Sequence, residues 1–164
     1  MFKAPYFDNT EVKTIEDVDM SERGAAAALA AFRSLSPADR IADSRHVFAY
    51  YKDYHEAVGG EDWLDEQMGI PETPADIWKF VRPGSEIDVR KGRNGDDNWY
   101  VIMEANCGWE EEHGLMLVWR NGSALTKVGG YDGHVTNVNS YADDSLEDVV
   151  YAASNPEYTT RIHE

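Results

Sequence analysis

The sequence predicts an α+β fold in which N-terminal helices pack on one face of a C-terminal antiparallel β-meander of about four strands. Three observations predict it. The apolar period changes from near 3.6 to 2 at about residue 86. Turn chemistry at Arg93-Asn94-Gly95-Asp96-Asp97 and at Asn121-Gly122 separates the alternating segments. The chain has 164 residues, 42% hydrophobic and 12% aromatic, which is enough to fill one core without staples. No repeat, linker or composition shift divides it, so residues 1–164 read as a single domain, with about 1–18 and 156–164 expected to be irregular.

In chain order, Val12–Val18 reads as a short strand whose alternation is weak. Asp19 with Glu22 resembles a capping box before an alanine-rich helix, about Ser21–Ser34, that carries Leu29 and Phe32. Ser36-Pro37-Ala38-Asp39 opens the next helix. Serine accepts an amide hydrogen bond at the cap, proline presets φ, and aspartate meets the positive end of the helix dipole. That helix runs to about Val58 and stops at Gly59-Gly60, with Ile41, Arg45, Phe48, Tyr51, His55 and Val58 on one stripe. Glu61–Gln67 reads as a further short helical turn. Thr73-Pro74-Ala75-Asp76 repeats the start chemistry for a short helix through Ile77, Trp78, Phe80 and Val81, closed by Pro83-Gly84. Trp63 and Trp78 are expected to fill space between helices and sheet, and His55 to be a satisfied boundary histidine.

The strands follow. Glu86–Arg90 alternates with one apolar side, which suits a half-buried edge strand. Trp99–Asn106 is the second strand. Leu115–Arg120 is apolar on both faces and should be central. Ala124–Val128 returns after Asn121-Gly122. Ser145 with Asp148 is expected to start a last short helix ending near Asn155-Pro156.

Composition limits function. The formal net charge of −16 repels nucleic acid and anionic lipid, and attracts basic proteins and cations. The single cysteine, Cys107, excludes a disulfide framework within the monomer. The N-terminal residues show no signal-type apolar run, and no stretch is long enough for a membrane helix. The expectation is a cytoplasmic protein, monomer or homodimer, with no nucleic-acid or membrane partner.

The stretch richest in chemistry is Asn106-Cys107-Gly108-Trp109-Glu110-Glu111-Glu112-His113-Gly114-Leu115. It holds a thiol, an indole, three carboxylates and an imidazole on one connection between strands. Folding at Asn121-Gly122 would bring it to the same rim as Tyr131-Asp132-Gly133-His134. The candidate binding residues are therefore Trp109, Glu110, Glu112, His113, Tyr131, Asp132 and His134. No cofactor is expected; if the rim held zinc, thiolate and imidazole would suit it, from Cys107, His113 and His134. Against zinc stand the lack of Cys-x-x-Cys and of His-Glu-x-x-His. A thiol pair of Cys107 with either histidine would be hampered, because nearby carboxylates raise a thiol pKa. A hydrolase would use Glu112 and His113 as acid and base, but no Gly-x-Ser-x-Gly elbow is present. The structural alternative has Trp109 plugging the core edge, His113 bonding a backbone carbonyl and Cys107 packed as a small hydrophobe. Asp96-Asp97-Asn98 lacks the closing glutamate of a calcium loop, and Gly129-Gly130 lacks the lysine of a phosphate loop.

Residues Cys107–Leu115, followed by Tyr131–His134, resemble an uncharacterised family of small bacterial proteins, a domain of unknown function. Its pattern is a Cys-x-Trp-Glu-x-Glu-His-Gly-Leu loop and, after a hairpin, a Tyr-Asp-Gly-His turn. Arg45–Asp53 and Ile77–Pro83 are similar to it as well, so the likeness covers about residues 25–140. It implies a bacterial origin and no reaction. The functions weighed are a non-enzymatic interaction protein that binds a basic partner, as bacterial immunity proteins bind basic toxins; a metal-binding protein or hydrolase at the rim; and a nucleic-acid mimic, for which the acidic residues are too dispersed.

Overall fold

The computed structural model describes every residue except Glu61 and Glu164, and Asp62 through its backbone alone. In chain order the elements are β1 (Phe2–Ala4), β2 (Thr10–Thr14), α1 (Arg23–Arg33), α2 (Pro37–Ala57), α3 (Asp62–Met68), β3 (Val81–Arg82), β4 (Glu86–Lys91), β5 (Trp99–Cys107), β6 (Leu115–Arg120), β7 (Ala124–Gly129), α4 (Asn137–Tyr141), β8 (Val149–Tyr151) and β9 (Thr160–Arg161). Tight 3₁₀ turns lie at Pro5–Phe7, Pro74–Phe80, Asp144–Leu146 and Pro156–Tyr158.

The fold is mixed α and β with a mostly antiparallel sheet, but that sheet is larger than a four-stranded meander. It has seven strands in the order β1-β2-β4-β5-β6-β7, with β3 paired to β5. The four strands expected from alternation are present and pair in sequence. The N-terminal residues expected to be irregular form β1 and β2, and β2 runs parallel to β4 through Lys13↔Glu86 and Thr14↔Ile87. β4 is therefore internal and not an edge. Its polar residues Asp88 and Arg90 are half-buried on the sheet's second, partly open face, and their alternation with Ile87 and Val89 reads locally like an edge pattern. Nor are the helices confined to the N-terminal side, since α4 follows the strands.

β6 explains the layering. Leu115, Met116, Leu117, Val118 and Trp119 are all 0% exposed. Successive side chains point to opposite faces, so both faces must be covered. On one face Leu115, Leu117 and Trp119 join Val101, Met103, Ile87, Phe32, Val47 and Tyr50 in the main core. On the other, Met116 and Val118 pack with Tyr100, Ile102 and Val135 from the segment after β7. The hairpin closing β6 and β7 has Asn121 and Gly122 at φ 52° and 75°. A side chain at Gly122 would meet the Ala28 carbonyl at 1.8 Å, so the turn seats directly on α1.

Local start chemistry holds at α2. The Ser36 amide donates to Asp39 Oδ2 at 2.7 Å, and the Asp39 amide donates to Ser36 Oγ at 3.3 Å. At Thr73 the amide donates to Asp76 Oδ2 at 3.0 Å. Asp19 and Glu22 do not form a box. Asp19 Oδ1 instead accepts from Ser21 at the amide and the hydroxyl, and α1 begins at Arg23. The expected turn Glu61–Gln67 appears as α3, its first residue lying outside the described residues. Ser145–Asn155 is not a helix but a 3₁₀ turn followed by β8. Pro156–Arg161 does not fray, because β9 pairs with β8. Trp63 is 47% exposed and fills no core, whereas Trp78 donates to Ser44 Oγ at 2.8 Å.

α2 departs from its expected stripe. Ile41 is 51% exposed, while Ser44, His46 and Asp53 are buried with Val47, Ala49, Tyr50 and Tyr51. The causes are the Pro74–Phe80 turn, whose Trp78 covers Ser44, and the C-terminal segment, which packs over His46 and Asp53. Asp53 accepts from Tyr151 Oη at 2.6 Å, the Ser154 amide at 2.8 Å and the Asn155 amide at 2.9 Å. His46 Nδ1 lies 2.7 Å from Thr160 Oγ1, and Arg45 donates to the Arg161 carbonyl at 2.8 Å. Boundary residue His55 is satisfied, 3.0 Å from Asp65 Oδ1. Among the described residues, no helix is long and apolar enough to cross a membrane.

Two buried groups on α2 titrate in opposite senses. Burial, reinforced by Arg45, lowers His46 from 6.5 to about 4. Its stabilising share is complete above pH 6.5 and is lost as pH falls toward 4. Burial raises Asp43 from 3.8 to about 6, against the hydrogen bond it accepts from Tyr6. Its share is complete below 3.8 and is lost as pH rises through 6. Between pH 7 and 5.5 the two changes are each about 1 kcal/mol and of opposite sign, so the wild-type protein should hold nearly constant stability. In His46→Gln only the Asp43 change remains. Urea unfolding should then show this variant gaining about 1 kcal/mol on acidification over that interval; a pH dependence equal to wild type would refute the assignment.

Candidate functional site

The 107–114 connection is organised by one carboxylate. Glu110 accepts from the Glu112 amide at 2.8 Å and from the His113 amide at 3.0 Å, and its Oε2 lies 2.8 Å from His113 Nδ1. Its own carbonyl accepts from the Gly114 amide at 3.1 Å and from the Cys107 thiol at 3.3 Å. Gly114 has φ 65°, and a side chain there would meet the Ala105 carbonyl at 2.8 Å, so the exit from this turn requires glycine. His113 thus bonds a carboxylate and not the backbone carbonyl expected of it. Trp109 is 2% exposed and meets the edges of Tyr50 and Tyr51 at centroid distances of 5.5 and 5.9 Å. Cys107 is buried, and burial pushes its thiol up to about 11, with smaller contributions from Glu110 and Glu111. The expected direction holds, but desolvation dominates it.

The two loops do leave the sheet at one rim, since the Tyr131 amide donates to the His113 carbonyl at 3.0 Å. Their side chains then separate. Glu110, Glu112 and His113 present ligand atoms within 4.8 Å of one another. They line a cleft of about 340 Å³ with Tyr54, Asp53 and Tyr151. Asp132 and His134 turn to the other face of the sheet. Asp132 accepts from Lys127 Nζ at 2.5 Å, Ser140 Oγ at 2.6 Å and the His134 amide at 3.0 Å. His134 lines a separate small space with Arg90, Arg93 and Asn139. The two imidazoles therefore share a rim but not a pocket. Of the three residues considered for zinc, Cys107 points its sulfur at the Glu110 carbonyl, and His113 and His134 lie in different clefts.

Lys127 is the residue the sequence reading missed. It is 2% exposed, on the sheet face shared with Met116 and Val118. Its ammonium also donates to the His134 carbonyl at 2.8 Å, and Arg90 donates to the Gly133 carbonyl at 3.2 Å. These two cations hold the Tyr-Asp-Gly-His turn against the sheet. Burial lowers the Lys127 pKa against the pull of Asp132. Burial likewise opposes ionisation of Asp132, but Lys127, Ser140 and the His134 amide hold its carboxyl below the ordinary value. A lone lysine in an alternating strand signals a solvent face, and nothing local marks it as buried.

This packing predicts an unreactive thiol. In the native protein at pH 8, Cys107 should react with an aromatic disulfide reagent at least about a hundredfold more slowly than in urea, because both burial and protonation suppress the thiolate. Equal rates would place the thiol at the surface.

Comparison with curated proteins and with solved structures returned no match. The model of one family, described as a domain of unknown function (DUF6985), matches residues 1–135, which takes in the whole seven-stranded sheet and both loops but stops short of α4, β8 and β9. The chain belongs to the DUF6985 family of domains of unknown function.

Proposed function

We propose that this protein is a non-catalytic binding module that captures a basic protein partner, in the manner of a bacterial immunity protein that masks a cationic toxin. The observation that supports this reading is the surplus of carboxylates. The formal charge is −16, and at the rim Glu111 and Glu112 stand exposed. The thiol is buried, and one ring nitrogen of His113 is tied to Glu110. Long-range attraction of this kind mainly accelerates association and weakens with salt. Tagged protein immobilised against a lysate of its own cell should therefore recover a partner of high isoelectric point. The association rate with that partner should fall about tenfold or more between low salt and 0.5 M. Recovery of neutral or acidic partners only, or a salt-insensitive rate, would count against the reading.

One observation favours a second reading. Glu110, Glu112 and His113 form a compact oxygen and nitrogen donor set, and this trio, not Cys107 with His113 and His134, is the arrangement suited to a divalent cation. Purified protein should then carry about one equivalent of metal by elemental analysis, and Glu112→Gln or His113→Ala should lose it. Metal-free protein that binds no zinc or manganese on titration, and whose His113→Ala variant loses only stability, would return the trio to loop capping.

A further inference from the structure

The second face of the sheet is only half covered. The segment after β7 lies over Tyr100, Ile102, Met116 and Val118 through Val135. Beside it a groove of about 390 Å³ remains open, lined by Glu86, Asp88, Ile102, Glu104, Asn106 and Tyr131. That volume lies within the range of ligand-sized clefts. Glu104 is the unusual residue. It sits near the middle of β5, opposite Met116 of β6, and its side chain is exposed. Glutamate is disfavoured in strands, and this one makes no hydrogen bond or ion pair among the described residues, so the fold gains nothing visible from it. The cation lining the groove is already engaged: Arg90 bonds Asp88 and the Gly133 carbonyl. Among the described residues Glu86 has only an exposed pair with Lys13 at 3.1 Å, a weak contact that an incoming cation can displace. Tyr131, from the turn that Lys127 and Arg90 pin down, stands 38% exposed at the margin.

We propose that this groove receives an arginine or lysine side chain of the basic partner. This rests on the reading of the protein as a binder of a basic partner, and it names the surface that does the binding. The cationic head meets Glu104 and Glu86, and the aliphatic stem lies along the exposed Tyr131 ring. A bare metal ion fits the groove less well, because the donor set that converges to ligand distance among the described residues is at Glu110, Glu112 and His113.

The test uses the full chain, labelled with nitrogen-15, titrated with an octa-arginine peptide at physiological salt. Two variants change net charge equally at different places: Glu104→Arg in the groove and Glu112→Arg at the loop rim. Amide shifts should centre on Glu104, Asn106 and Tyr131. Glu104→Arg should weaken binding about tenfold and the isosteric Glu104→Gln about threefold, with Glu112→Arg affected far less. Equal weakening by both arginine variants would mean diffuse electrostatics and would overturn the groove. Weakening by Glu112→Arg alone would also overturn it, while leaving the broader reading as a binder of cations intact. Absence of binding to the peptide by the unaltered chain would sink the groove, and recovery of a basic partner by the immobilised protein would then decide the broader reading on its own.

Discussion

The structure depends on the burial of β6 from both sides. Five consecutive residues, Leu115–Trp119, have no exposure. Each large apolar side chain withdrawn from water contributes about 1.5–3 kcal/mol, as an upper estimate. A strand can collect that from both of its faces only if the chain supplies two covers. The helices and the N-terminal aromatics supply one; Trp119 meets Tyr6, Phe7 and Phe32 at centroid distances of 5.2, 6.2 and 4.9 Å. The segment beyond β7 supplies the other. That second cover is short, so it leaves part of the sheet open, and the open part is where β4 and β5 place charged residues.

Covering the second face also creates a debt of polar groups. Lys127 comes from β7 into an apolar layer, where an uncompensated ammonium would cost several kcal/mol. Asp132 and the His134 carbonyl meet it, and Ser140 and the His134 amide complete Asp132. The Tyr-Asp-Gly-His turn is thereby an element of the fold. The loop before β6 follows the same logic. Glu110 spends its carboxylate on two amides and an imidazole, which satisfies backbone donors at a rim where no strand can pair with them. Acidic and histidine-bearing motifs can thus arise from the need to satisfy backbone donors, while Glu104, Glu111 and Glu112 remain exposed.

Much of the sheet was legible. Alternation located β4, β5, β6 and β7, and the double-sided apolar run of β6 marked it as buried on both faces. Asn121-Gly122 marked the hairpin, because positive φ at successive positions favours those residues. Ser36 and Asp39 marked the start of α2 through a bond within four residues. β1 was not legible, since it is three residues long and carries almost no alternation; β2 was legible only as the weakly alternating Val12–Val18, because it gains its partners from Glu86 and Ile87, more than seventy positions away. The burial of Ser44, His46 and Asp53 was invisible for the same reason: their partners Trp78, Thr160 and Tyr151 are distant in the chain. The common rim of the two loops followed from the hairpin. The divergence of their side chains did not, because it depends on which face each residue takes after the strand ends.

By itself the sequence determined the features that are written within a few residues: strand alternation, helix caps, the hairpin turn, the acidic charge and the chemistry of the 107–113 loop. Tertiary structure alone decided what covers β6, why Lys127 is buried, and that His113 and His134 open into different clefts. The division has a physical cause. Local hydrogen bonds and backbone dihedrals are set by neighbouring residues, whereas desolvation depends on every segment that packs nearby, and here the decisive segments come from opposite ends of the chain.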